Sequence, residues 1–139
     1  MPEYQPIQIN PIDLETDVAL GVNLPMDAAN GAGLSSTYFT KDQVKANMRT
    51  VLSTMIGERV MQPEFGTRLY NFIFEPVSED LKQKQIYEEV KRCIDIWVPG
   101  ANLLGVEVPI DTKEKRINVK VKYTIPYYNV VDELNLEVQ

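Results

Sequence analysis

The chain contains no histidine and a single cysteine, Cys93, among its 139 residues. Without imidazole there is no Ser-His-Asp triad, no histidine general base and no histidine ligand for zinc. A lone cysteine forms no intrachain disulfide and has no histidine to activate it as a nucleophile. No apolar run approaches the roughly 20 residues that span a bilayer, and the first residues lack the basic and apolar regions of a secretory leader, so residence in a cytoplasm is expected. Lys and Arg are absent from residues 1–40, which hold Glu3, Asp13, Glu15, Asp17 and Asp27; the other 14 basic and 15 acidic groups follow Thr40. The net charge of −6 therefore sits almost wholly in the first 40 residues. No basic stripe exists to track a phosphate backbone, so neither nucleic acid nor membrane is expected as a partner, and no cofactor or metal is expected either.

What is present is a dense cluster of special residues, Gly57-Glu58-Arg59-Val60-Met61-Gln62-Pro63-Glu64-Phe65-Gly66, between two apolar-patterned segments. Gly57 suits the left-handed end of a helix, Pro63 removes a backbone donor, and Gly66 allows tight entry into a following element. Glu58 and Arg59 are placed to fasten this connection to neighbouring helices.

Upstream, Thr40 and Gln43 form a capping-box pattern opening a helix to about Met55, with Val44, Met48, Val51, Leu52, Met55 and Ile56 along one face. Downstream, Phe65, Leu69, Phe72 and Ile73 share one side of a short helix that Pro76 stops. Ser78 begins the longest helix, whose inward stripe is Ile86, Val90, Cys93, Ile94 and Trp97 before Pro99-Gly100. Cys93 on that stripe reads as a small core residue.

The remainder has period two. Leu104, Val106, Val108 and Ile110 alternate with polar or small residues, with Pro109 marking an edge or a strand end. Ile117, Val119, Val121, Tyr123 and Ile125 oppose Asn118, Lys120, Lys122 and Thr124, the pattern of a sheet with one wet face. Pro126-Tyr127-Tyr128-Asn129 turns the chain into a last strand carrying Leu134, Leu136 and Val138, and a hairpin would bring Lys122 to Glu133.

The expected fold is α+β: an extended acidic arm over residues 1–39, then a domain over 40–139 with three helices followed by an antiparallel sheet of about three strands ending in a C-terminal hairpin. The arm has four of the nine prolines but also Tyr4, Ile7, Ile9, Ile12, Leu14, Val18, Leu20, Val22 and Leu24, more apolar residues than a purely solubilising tail requires. An arm that orders on a partner is the reading preferred.

The run Gly57-Glu58-Arg59, Pro63, Phe65-Gly66, then Leu69 and Phe72-Ile73-Phe74-Glu75-Pro76, resembles the baseplate wedge family of contractile-tail phages. That family includes the sheath initiator of phage baseplates and the related TssE subunit of type VI secretion, and the resemblance covers roughly residues 45 to 125. It implies a virion structural protein, assembled in the bacterial host cytoplasm, that joins the inner wedge beside the tube. Its implied partners are sheath subunits and wedge proteins, with tube or hub proteins as further candidates, in six-fold copies in the baseplate; when free, a monomer is expected because no coiled-coil heptad or long apolar surface stretch is present. It also implies that the C-terminal strands template the first sheath ring by β-augmentation.

On that reading Lys120, Lys122, Tyr123, Tyr127, Tyr128, Leu134, Leu136 and Val138 are the candidate sheath contacts. Gly57, Glu58, Arg59, Pro63, Phe65 and Gly66 form the structural motif. Where the family carries Glu-Pro-Arg after the long helix, this chain has Trp97-Val98-Pro99-Gly100, so an ionic wedge contact does not carry over and Trp97 and Pro99 remain as an apolar anchor. Two alternatives are the equivalent subunit of a type VI or other phage-derived injection system, and a carboxylate glycosidase using Glu58, Glu64 or Glu75, since members of the family have been labelled lysozymes. No catalysis is the expectation.

Overall fold

The computed structural model describes residues 10–15, 17–24, 34–76, 78–111, 116–126 and 130–138. A short 3-10 helix (Pro11–Leu14) and a two-stranded antiparallel ladder of β1 (Gly21–Val22) and β2 (Ser36–Thr37) precede three helices, α1 (Thr40–Ser53), α2 (Leu69–Phe74) and α3 (Glu79–Trp97). Four strands follow: β3 (Asn102–Glu107), β4 (Ile110–Asp111), β5 (Arg116–Ile125) and β6 (Val130–Val138). The fold is α+β, with the helices first and the antiparallel sheet last.

The alternating pattern of β5 makes it the centre of the sheet. β3 and β4 lie end to end along one edge, Glu107 opposite Lys120 and Ile110 opposite Ile117, while β6 runs the full length of the other. Pro109 sits in the gap between β3 and β4, where no ladder bond is lost. Val119, Val121, Tyr123 and Ile125 are all buried on one face, as their period requires. Against that face pack Val44, Met48, Val51 and Leu52 of α1 and Ile86, Val90, Cys93 and Ile94 of α3, in one continuous core. Each such side chain contributes roughly 1.5–3 kcal/mol of burial free energy.

Four local expectations are corrected. Thr40 and Gln43 do not form a capping box: α1 starts after Phe39 with no side-chain cap of its own, and Asp13 supplies one from the arm. Gln43 instead bonds the Thr37 hydroxyl and Asn47. Gly57 does not end α1, which stops at Ser53, because the Thr54 hydroxyl takes the Thr50 carbonyl at 2.7 Å as the backbone of Thr54 turns extended. Met55 therefore leaves the helical face and is 43% exposed. Leu104 is 54% exposed rather than inward, because it is the extra residue of a β-bulge, Leu103 pairing with Tyr123 and Gly105 with Lys122. Ser78 precedes α3 as expected, but its hydroxyl makes no capping bond.

The arm expectation also meets structure. Thr37 is buried, the Leu20 amide donates to its carbonyl at 2.8 Å, and the Asn10 side chain reaches Thr40 at 3.2 Å. Residues around 10–24 and 34–39 are thus docked on the start of α1 in the isolated chain.

Candidate functional site

Two regions singled out by the sequence lie at opposite stages of the chain: the connection between α1 and α2, and the C-terminal hairpin. In the connection, Met55 and Thr67 form a parallel bridge, with the Thr67 amide donating to the Thr54 carbonyl at 2.8 Å. Gly57 has φ +90° and its amide donates to the Pro63 carbonyl at 2.8 Å, closing the loop. Gly66 has φ +112°, and any Cβ there would strike the Thr54 carbonyl oxygen.

Glu58 and Arg59 act inside this loop rather than reaching neighbouring helices, which corrects the expectation. A Glu58 carboxylate oxygen accepts the Met55 amide at 3.0 Å, and the Arg59 guanidinium lies 3.7 Å above the centre of the Phe65 ring. Phe65 in turn meets Trp97 edge-on, centroids 5.0 Å apart. The polar fastening to α3 centres on Glu89 and Arg92, which the sequence does not single out. Glu89 accepts the Arg68 amide at 3.0 Å and pairs with Arg92 at 2.8 Å, while Arg92 and the Cys93 thiol both donate to the Gly66 carbonyl. Burial would raise the Glu89 pKa, but the Arg92 pair and the Arg68 amide outweigh it and hold the carboxyl below its ordinary value. Glu89 and Arg92 are three residues apart with opposite charge, a pattern too common on helix surfaces to stand out.

This loop ends in an apolar tip, Val60 and Met61 being 93% and 92% exposed. The carboxylates Glu58, Glu64 and Glu75 are all exposed. A groove of about 450 Å³ lies elsewhere, lined by Pro109, Asn118, Val119, Lys120, Asn135, Leu136 and Glu137, with none of those three carboxylates in it. Among the described residues no cluster of Cys, Asp and Glu could hold a metal ion.

In the hairpin the register places Lys122 opposite Glu133, as the sequence reading has it, with the ammonium 3.8 Å from that carboxylate and 2.6 Å from Glu107 on β3. The Glu107 pair raises the Lys122 pKa and lowers that of Glu107. Lys120 faces Asn135 on the same wet side and is exposed. Tyr123 and Leu134 are fully buried, so their side chains belong to the core and offer a partner no surface. The Tyr123 hydroxyl donates to Asp132 at 3.2 Å, and Lys45 of α1 reaches the same carboxylate at 3.3 Å, tying the hairpin to the helix layer. Leu136 is partly buried, and Val138 pairs its backbone with Ile117. Tyr127 and Tyr128 fall outside the described residues.

β6 has β5 on one side and, among the described residues, no strand on the other. The Glu133 amide donates to the Asp132 carboxylate at 2.9 Å, so it points away from the β5 ladder. Strand alternation aims the Asn135 amide the same way. At the far end of α3, Trp97 is partly buried with its indole nitrogen lacking a partner among the described residues, and Pro99 is exposed in the turn that ends the helix.

No curated protein matches this chain. Among solved structures it is similar to a candidate tail lysozyme from Geobacter sulfurreducens, at 27% identity and a TM-score of 0.63 over 70% of this chain and 88% of the other. A chain in the six-fold symmetrised baseplate of the anti-feeding prophage superposes with a TM-score of 0.55 over 83% of this chain and 80% of that one, and at 22% identity it speaks to the fold alone. The sequence pattern that does identify a family covers residues 40–129, from the start of α1 to the residue before β6: the chain belongs to the baseplate wedge protein gp25 family.

Proposed function

We propose that this chain is a structural component of a contractile tail baseplate and that β6 templates the first ring of sheath by accepting an added strand. The observation that carries the reading is the long side of β6 that, among the described residues, carries no strand, with the Asn135 amide directed toward it. An incoming extended segment would satisfy those donors and acceptors at the ordinary spacing of about 4.8 Å. Its alternate side chains would meet Glu133 and Asn135 on the wet face, with Lys120 and Lys122 one strand further in, and Leu136 on the other, setting the register. Side chains of Tyr123 and Leu134 stay in the core and support the template from beneath.

The wedge contact is assigned to the corner after α3. The Trp97 ring is engaged with Phe65, so an apolar anchor there rests mainly on Pro99. Wedge and sheath partners, six-fold copies in the assembled particle, a place in the virion tail and assembly in the host cytoplasm complete this proposal.

The likeness to a candidate tail lysozyme raises catalysis as a second reading. A glycosidase needs one carboxyl kept protonated by an apolar pocket beside a second that stays ionised, whereas Glu58, Glu64 and Glu75 are exposed and Glu58 serves a backbone amide. We infer a scaffold without catalysis. Cell-wall turbidity that falls with this protein and not with Glu58→Gln would revive the enzyme.

The templating reading is tested by co-purifying sheath subunit with the intact chain and with Asn135→Pro. Proline at an outward-facing edge position leaves the β5 ladder intact. Loss of sheath by this folded variant supports templating, and undiminished capture opposes it.

A further inference from the structure

The arm is built inside out. Among the described residues its bonds to the start of α1 are polar, Asp13 and Asn10 to Thr40 and Thr37 to Gln43, while most of its large apolar side chains are exposed and Leu20 and Leu24 are half-buried. Ile12, Leu14, Val18, Val22, Leu34 and Phe39 are 50%, 70%, 49%, 46%, 60% and 50% exposed. The Asp13–Thr40 bond brings the stretch carrying Ile12 and Leu14 to the stretch carrying Phe39, and Val22 pairs with Ser36, three residues before Phe39. A segment folding only for its own domain would do the reverse, because exposed apolar area forfeits roughly 25 cal/mol per Å² that burial supplies.

The charge around this surface is one-sided. Glu15, Asp17 and Asp42 are exposed at its rim, Lys41 on the first turn of α1 offsets one of them, and residues 1–40 hold no basic group at all. We infer that the arm surface is a docking site for a second protein, one that offers an apolar groove rimmed by Lys and Arg. Nucleic acid and anionic bilayers are repelled by this field, and so is the acidic arm of a second copy. The residues of this surface are other than those along the edge of β6.

The test uses the full-length chain and the other tail proteins of the same contractile system, each purified singly and measured by biolayer interferometry at low and high salt. One variant carries Leu14→Ser and Val22→Ser, a second Glu15→Lys and Asp17→Lys; all four side chains are exposed, so both should fold, and thermal melts check this. One tail protein should bind, more weakly at high salt, and each double variant should weaken it about tenfold or more. The Asn135→Pro variant should bind it as the parent does, which separates this site from the templating edge. Absence of binding by every tail protein, equal binding by the variants, or a variant-sensitive self-association in its place would overturn the inference.

Discussion

A single carboxylate oxygen of Asp13 accepts both the backbone amide and the hydroxyl of Thr40, each at 2.8 Å, across 27 positions of sequence. The bond satisfies one of the orphan amides of α1 and sets a negative charge at the positive end of its dipole. Asp13→Ala should therefore cost about 1–2 kcal/mol, and Asp13→Asn less, in urea unfolding followed by circular dichroism. Equal stability of Asp13→Ala and the parent would mean that the arm does not cap α1 in solution.

The two glycines of the connection should respond differently to alanine. Both have positive φ, but Gly57 has open space where a Cβ would go, whereas at Gly66 the Thr54 carbonyl blocks it. Gly57→Ala should cost about 1–2 kcal/mol from the left-handed backbone alone. Gly66→Ala adds a backbone collision that no rotamer relieves, so a loss above about 3 kcal/mol or failure to fold is expected. Thermal melts of the pair check the order.

How much of this was legible follows from the range of each interaction. β5 and the facing of Lys122 by Glu133 could be read because period two and a hairpin are local rules, and the buried stripe of α3 because its spacing is helical. The Asp13 cap could not, since nothing near Thr40 announces a partner 27 residues upstream and the Thr40-Gln43 pattern offers a plausible local substitute. The Leu104 bulge had one local sign, the glycine at 105 within the strand, but the unbroken alternation of Leu104, Val106 and Val108 masks it. At the connection, the glycines and the proline announce a loop and make Glu58 and Arg59 the obvious fasteners, whereas the polar contacts to α3 belong to Glu89 and Arg92, brought there only by tertiary packing. In the hairpin, the same alternation that identified the strands places Tyr123 and Leu134 in the core.

Acid should weaken the fold through two carboxylates. Burial raises the Asp132 pKa, but the Glu133 amide, Lys45 and the Tyr123 hydroxyl together bring it below its ordinary 3.8, and Glu89 likewise lies below 4.5. A depressed carboxylate contributes stability fully above its unfolded pKa and loses it as pH falls through the folded one. Stability should thus decline as pH drops from the unfolded values through the lower folded ones, and Asp132→Asn should flatten that decline while lowering stability at neutral pH. Urea midpoints across the acid range for both proteins measure it; parallel curves would contradict the role of Asp132.

Cys93 should be inert in the folded chain. It is fully buried, and burial, with Glu89 adding and Arg92 opposing, pushes its thiol up to about 12. A thiol-specific disulfide reagent at neutral pH should label it only as fast as the chain opens, and at once in denaturant. Rapid labelling under native conditions would show that α3 is not seated against Gly66 as described.

The most direct measurement of the central claim is amide hydrogen exchange on the full chain, alone and with purified sheath subunit. Templating predicts that amides of β6 directed away from β5, Asn135 foremost, exchange readily in the free protein and become protected when sheath is added, with little change in β5. Sheath binding that protects other surfaces and leaves Asn135 unprotected would contradict strand addition at this edge.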